Sequence, residues 1–199
     1  MTQNRKRVPA AVQRALKEEA DNGCAIPGCP YGHPQKCHII DHQYVNGHKF
    51  GGMINMCGAH HDEHTYKDLK NLDLYIVKAK RAYETDRYTA TELIYLEVFS
   101  RLKGSYFLHP VATLCCLARL IDDGYVEEVS RRVDEDGVPQ AIFRLTRYGR
   151  GLTAAWVASG SPRIRLNPTE GRWRPPRGGM VEVLTHDGPQ AAGPSNQRR

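Results

Sequence analysis

The residues best suited to chemistry lie between Cys24 and His64, a stretch that holds four of the six cysteines and most of the nine histidines. Cys24 and Cys29 form one closely spaced pair, and Cys57 and His60 form another. Two short Cys/His pairs joined by a loop can supply the four ligands of a tetrahedral zinc ion. The spacing therefore predicts a structural zinc site made by these four residues.

Disulfide bonds and free buried thiols are the alternative explanations for the cysteines. A disulfide framework belongs to an oxidising compartment, and the polar, basic residues 1–7 contain no apolar secretory signal. Free thiols would explain one or two of the positions but not their pairing. We therefore expect zinc and a cytoplasmic location. No apolar run approaches the ~20 residues of a membrane span, so no membrane partner is expected.

Other side chains that can bind metals remain in the same stretch once four zinc ligands have been assigned. They are Cys37, His38, Asp41, His42, His61 and His64. Such side chains beside a structural zinc can form a second, open metal site or simply a polar surface. The residue types alone leave both interpretations open.

The order of these residues resembles that of the HNH endonucleases, and in particular the bacterial branch whose ββα-metal hairpin is held by zinc. The resemblance extends from about Val8 to Glu84. The similar segments are Gly23-Cys-Ala-Ile-Pro-Gly-Cys29, Cys37-His-Ile39, Met53-Ile54 and Cys57-Gly-Ala-His-His-Asp62. The resemblance implies hydrolysis of DNA, with an imidazole as general base and a catalytic Mg²⁺ or Mn²⁺ as Lewis acid.

Carried over by position, the resemblance makes His38 the general base and His61 the helix ligand of the catalytic metal. His64, one helical turn further on, is a candidate additional ligand. Cys37 stands where the family has a metal-binding His or Asp. The central Asn of the family falls on Gly52, and the candidate substitute is Asn55, three residues away.

A second register is also open, with Asp41 as the metal ligand and His42 as the base. Strand alternation would place His38 and His42 on the same face, so both could face one cleft. The spacing from Cys29 and the isoleucine after His38 favour His38 as the base. Two functions follow from the resemblance and from the two positions, Cys37 and Gly52, at which the sequence differs from the family. One is a working HNH endonuclease, and the other is a DNA-binding regulator or phage-type accessory factor that has lost turnover.

Two amphipathic helices are predicted beside the zinc motif. The first covers Pro9–Ala20, directs Val12, Leu16 and Ala20 inward, and is ended by Asn22-Gly23. The second covers Leu69–Tyr83. Its predicted buried residues are Leu72, Ile76, Ala79 and Tyr83. The basic residues on or just after it, Lys78, Lys80, Arg81 and Arg87, form either a solvated face or a candidate DNA-binding face.

Residues 89–157 lack the cysteine and histidine density and predict two helices followed by a β-hairpin. The predicted elements are a helix from Thr89, a helix over His109–Asp123, and strands over Tyr125–Val129 and Ala141–Leu145. This order resembles winged-helix proteins, which implies a recognition helix in the major groove and a wing on the DNA backbone. Winged helices also act as dimerisation or docking modules, so a homodimer or a protein partner is the alternative.

The net charge of +6 favours a polyanionic partner, which we expect to be DNA. The candidate nucleic-acid contacts are Lys49, Arg119, Arg131, Arg132, Arg144 and Arg147.

The sequence as a whole predicts an α+β protein with four regions. They are a basic arm at 1–7, an HNH-like zinc domain at 8–88, a winged-helix-like domain at 89–157 and a Gly/Pro/Arg-rich, disordered tail at 158–199.

Overall fold

The computed structural model of the protein describes residues 7–40, 47–101 and 106–158, and these form a mixed α/β structure. The predicted arm and tail lie outside the described residues, except for Arg7 and Ala158. The first half contains α1 (Ala10–Glu19), β1 (Gln35–His38), β2 (Met53–Met56), α2 (Gly58–Tyr66) and α3 (Asn71–Glu84). The second half contains α4 (Ala90–Arg101), β3 (Tyr106–Pro110), α5 (Ala118–Asp122), β4 (Val126–Val133), β5 (Pro139–Leu145) and α6 (Arg147–Ala158). Among the helices of these described segments, none is long and apolar enough to cross a membrane.

Helix α1 matches its prediction, because Leu16 and Ala20 are buried. Its end differs from the prediction. Asp21 and Asn22, with φ of 47° and 62°, adopt the left-handed conformation that was expected at Gly23. Asp and Asn tolerate this conformation better than other non-glycine residues. The chain therefore turns two residues earlier and leads directly into Cys24.

Strands β1 and β2 form an antiparallel hairpin in which Cys37 pairs with Ile54 and His38 with Met53. Because side chains alternate along a strand, Cys37 and Ile54 share one face of the hairpin and His38 and Met53 share the other. The Cys37 face belongs to the main hydrophobic core, whereas Met53 packs with Leu16 in a smaller cluster.

The predicted inward face of α3 is right at Ala79, which is buried, and at Ile76, which packs half-buried against the core, but it is wrong at the other two positions. Leu72 and Tyr83 are 44% and 36% exposed, and the buried positions are Leu74, Tyr75, Lys78, Ala79 and Ala82. The spacing of apolar residues along a helix predicts that a lysine is exposed, but Lys78 is only 1% exposed. The burial of Lys78 rotates the inward face and removes this residue from the predicted basic surface.

The helix predicted over His109–Asp123 is wrong at its start. Residues Tyr106–Pro110 form β3, Val111–Leu117 form a 3₁₀ helix, and only Ala118–Asp122 form an α-helix. Strand β3 pairs antiparallel with β5, placing Phe107 opposite Phe143 in a sheet of order β3-β5-β4. A partner more than thirty residues away decides this strand, so the local pattern could not reveal it.

One continuous core joins the two halves of the chain. It includes Cys24 of the zinc motif and Trp156 in α6. Helices α3 and α6 come so close that a Cβ at Gly151 would lie 2.3 Å from the Tyr75 ring. The boundary predicted between residues 88 and 89 falls within this core. The division into a domain at 8–88 and a domain at 89–157 stays a prediction.

A buried ion pair connects α1 with α3. Lys78 Nζ donates to Glu19 Oε1 at 2.9 Å and to the Met53 carbonyl at 2.9 Å. Burial raises the pKa of Glu19 and lowers that of Lys78, while their mutual attraction opposes both shifts. The Phe50 ring lies against this ammonium at 3.7 Å and against the Arg87 guanidinium at 3.8 Å.

We expect Lys78→Met to lower the free energy of unfolding by about 3–5 kcal/mol, because it leaves the Glu19 carboxylate buried without its partner. The double variant Glu19→Leu/Lys78→Met should recover most of that loss, since it removes both charges. Urea unfolding followed by circular dichroism measures both. Lys80→Met is the matched control because Lys80 is 58% exposed on the same helix. Equal stability of the two single variants would contradict the prediction.

Candidate metal centre

The first pair of ligands is presented by a tight turn after α1. The Cys29 N–H donates to the Ile26 carbonyl at 3.2 Å, and Gly28 has a φ of 77°. Proline at the second position and a positive φ at the third are the features of a type II turn. Pro27 and Gly28 therefore bring the two cysteine side chains back toward each other, as their types predicted.

The second pair is presented by the junction of β2 and α2. Cys57 directly follows the strand, and His60 lies in the first turn of the helix. The backbone joins the two pairs, because the Cys57 N–H donates to Cys24 Sγ at 3.4 Å and the Ala25 N–H donates to the Asn55 carbonyl at 2.9 Å. Strand β2 thus fixes the position of the Cys24/Cys29 pair relative to the Cys57/His60 pair.

The ligand atoms of Cys24, Cys29, Cys57 and His60 all lie within 4.8 Å of one another. Cys29 Sγ is 3.8 Å from Cys57 Sγ, and His60 Nδ1 is 3.5 Å from Cys24 Sγ and 3.2 Å from Cys57 Sγ. Tetrahedral zinc, with bonds of ~2.3 Å to sulfur and ~2.05 Å to nitrogen, separates two sulfurs by about 3.8 Å and a sulfur from a nitrogen by about 3.5 Å. The four side chains therefore lie close enough to hold a metal ion, consistent with a structural zinc.

The thiols of the site differ in their surroundings. Burial raises the pKa of Cys24, whereas the backbone N–H of Tyr31 lowers the pKa of Cys29. Zinc binds thiolates, so its binding releases protons from these groups. Acid should therefore weaken metal binding.

Cys37 is close to the centre but is unsuited to a second metal. Its side chain is 4% exposed, and its Sγ donates to the Gln35 carbonyl at 3.5 Å. Burial raises the pKa of the Cys37 thiol to about 12, so the group stays protonated at neutral pH. A protonated thiol is a poor ligand for the catalytic Mg²⁺ or Mn²⁺ that the HNH resemblance implied.

His38 lies at the end of β1 on the hairpin face opposite Cys37. Its Nε2 is 3.1 Å from His48 Nδ1, and both imidazoles are partly exposed. The HNH resemblance predicted His38 as the general base, but nothing in the sequence predicted its contact with His48. Asp41 and His42, which carry the alternative register, lie outside the described residues.

The predicted helix ligands lie on the exposed surface of α2. The His61 side chain is 41% exposed, with its Nδ1 3.8 Å from the Asp62 carboxylate. His64 Nε2 lies 3.0 Å from the Asn71 side-chain oxygen. Within the described segments, no second group of three or more metal-binding side chains accompanies the Cys₃His cluster.

The two candidates for the family Asn occupy positions set by packing. Asn55 is 2% exposed, and its Nδ2 donates to the Leu16 carbonyl at 3.1 Å, which ties β2 to α1. Gly52 is covered by Tyr148, because a Cβ at this position would lie 2.4 Å from the tyrosine ring. An asparagine at position 52 would therefore need Tyr148 to move.

Three of the six candidate nucleic-acid contacts line one cavity of about 740 Å³: Lys49, Arg144 and Arg147. The other three do not line it. Arg119 donates its backbone N–H to Glu92, Arg131 pairs with Glu128, and Arg132 lies opposite Gln140 in the β4–β5 hairpin.

The sequence patterns did not single out several further lining residues of the cavity, among them Tyr106, Glu127, Glu128 and Arg150. Tyr106 reaches the cavity only through the pairing of β3 with β5. The basic Arg147-Tyr-Gly-Arg150 segment is the one local signal that could have identified Arg150.

Comparisons of the chain with protein-family models, curated proteins and solved structures find no match. Any function proposed for this protein therefore rests on its own residues and their geometry.

We expect one zinc ion per chain that survives dialysis and is lost in Cys24→Ser or Cys57→Ser, because each variant removes one of four ligands. Loss of the ion should also lower the midpoint of thermal unfolding, since structural zinc contributes on the order of 10 kcal/mol of binding free energy. Elemental analysis and differential scanning calorimetry measure the two effects. Cys115→Ser is the matched control, because Cys115 is exposed and outside the cluster. Zinc retained in both ligand variants would refute the site.

Proposed function

We propose that this protein is a DNA-binding protein built on a zinc-stabilised hairpin of HNH type. The observation that carries the proposal is the cavity that Lys49, Arg144 and Arg147 line together. Lys49 lies in the loop between β1 and β2, whereas the two arginines lie almost a hundred residues later, at the end of β5 and the start of α6. Cations converging from distant segments make a surface suited to a polyanion.

Packing fixes Lys49 in this position. The Gly51 N–H donates to the Asp123 carbonyl at 2.8 Å, and a Cβ at Gly124 would lie 3.0 Å from the Lys49 side chain. The aliphatic part of Lys49 therefore lies against the turn between α5 and β4. This contact directs a residue of the zinc hairpin toward the second sheet.

Binding without turnover is favoured by the surroundings of the predicted catalytic positions. Cys37 is a buried, protonated thiol, and Tyr148 covers the position of the family Asn. The resemblance to HNH hairpins supports contact with DNA but does not by itself supply a working metal site.

Lys49→Ala and Arg147→Ala should each weaken duplex DNA binding roughly tenfold at about 50 mM salt and reduce the salt dependence by about one phosphate contact. Fluorescence anisotropy over a salt series measures both quantities. Arg14→Ala is the control of equal charge, because Arg14 is exposed on α1 and lies outside the cavity. Equal effects of the three variants would show that only net charge matters and would contradict a specific surface.

A second candidate function, HNH-type endonuclease, is favoured by the His38–His48 pair. When His38 Nε2–H donates to His48 Nδ1, the contact fixes the ring orientation of His38 and the tautomer that has its lone pair on Nδ1, where a base needs it. His48 can thus orient His38, which is the role that the missing Asn has in the family. His38 would then take a proton from water, and the resulting hydroxide would attack phosphorus as the 3′ oxygen leaves. A bound Mg²⁺ or Mn²⁺ would supply Lewis-acid stabilisation of the leaving oxygen.

If the endonuclease proposal is right, plasmid nicking with Mn²⁺ falls roughly 10²–10⁴-fold in His38→Ala, because the general base is removed. His48→Ala should produce a smaller decrease, since it removes only the orienting partner. His33→Ala, which alters an exposed loop histidine, should cut like the unaltered protein. Firm DNA binding with no cleavage by the unaltered protein would leave the DNA-binding function alone.

A further inference from the structure

A row of three side chains crosses the second sheet and lines the cavity. In the strand register Arg144 lies opposite Tyr106 on one side and opposite Glu127 on the other. Because directly opposed residues point to the same face of a sheet, the three side chains stand together. All three line the 740 Å³ cavity.

Within this row, Arg144 is a connecting residue. Its Nε donates to Glu127 Oε1 at 2.5 Å, and its guanidinium also interacts with Tyr106. The carboxylate and the aromatic ring are therefore held at the cavity by one guanidinium. Tyr106 remains 36% exposed, so part of its ring is accessible to a ligand.

The remaining charged side chains of the cavity come from other elements. Lys49 belongs to the segment before β2, Arg147 and Arg150 belong to α6, and Glu128 belongs to β4. Arg150 donates to the Leu145 carbonyl at 2.9 Å, and Glu128 pairs with Arg131. The cavity thus presents four cations, two carboxylates and an aromatic ring.

This combination is selective for a particular kind of ligand. The two carboxylates, each paired with an arginine, have further oxygen lone pairs that can accept hydrogen bonds from the amino group of a base. An aromatic ring offers a stacking surface for a base, and the cations suit a phosphate. The cavity volume falls in the range of ~300–1,000 Å³ typical of small-ligand sites.

We propose that the cavity accepts a single unpaired nucleotide, with its phosphate near Lys49 and Arg147 and its base against Tyr106. The nucleotide is either a free nucleoside monophosphate or an unstacked unit of a single strand, because both present the same chemistry. The proposal rests on the proposed DNA-binding function and specifies the ligand of the same cavity.

Isothermal titration of the full-length protein with dCMP, dAMP and inorganic phosphate tests the proposal. We expect at least one monophosphate to bind at least tenfold more tightly than phosphate. Tyr106→Ala should weaken that binding about tenfold, whereas Tyr106→Phe should retain it, because base stacking needs only the ring. Tyr66→Ala is the control, since Tyr66 is 77% exposed on α2 and lies outside the cavity.

Competition with a single-stranded and a double-stranded dodecamer distinguishes the sources of the nucleotide. Displacement of the monophosphate by the single strand identifies an unpaired unit in a strand, and its absence identifies a free nucleotide. Duplex binding that depends on Lys49 but not on Tyr106 keeps the DNA-binding function separate from this inference. Phosphate binding as tight as that of every monophosphate, or equal effects of Tyr106→Ala and Tyr66→Ala, would overturn the proposal.

Discussion

The buried pair between Glu19 and Lys78 is the interaction on which the arrangement of this protein depends. The Lys78 ammonium also binds the Met53 carbonyl at the start of β2. One side chain of α3 therefore contacts both α1 and the hairpin. The Phe50 ring continues the contact to Arg87, which pairs with Asp123 at 2.7 Å beside the second sheet. A charge taken out of water is stable only with such complete pairing, so these elements have little freedom to separate.

The hairpin is held from both of its faces by different means. The Cys₃His cluster joins the two ligand pairs on the hairpin face of Cys37 and Ile54. The Glu19–Lys78 ion pair, which also binds the Met53 carbonyl, supports the hairpin on the side of Met53. His38 and Lys49 therefore extend from a base that is fixed on both sides. Rigid support of this kind is what a binding or catalytic side chain needs if its position is to be reproducible.

The two proposed functions use different parts of this frame. DNA binding depends on Lys49, which packing directs toward the cavity beside β5 and α6. Hydrolysis depends on His38 and its 3.1 Å contact with His48. Tyr148 connects the two parts, because it lines the cavity and also covers Gly52, the position that the HNH resemblance assigns to an asparagine. The same tyrosine thus shapes the binding cavity and prevents an orienting side chain at position 52.

The amino-acid sequence by itself determined the metal-ligand group, helix α1 and the β4–β5 hairpin. Within each ligand pair, the helix and the hairpin, the residues lie close together in the chain, as at the Pro27-Gly28 turn that joins Cys24 to Cys29. The assignment of both ligand pairs to one ion followed from the residue types that zinc binds. Only the tertiary structure decided the burial of Lys78, the strand β3 and the meeting of Lys49 with Arg147. These features depend on partners far away in the chain, and the spacing of neighbouring residues carries no information about such partners.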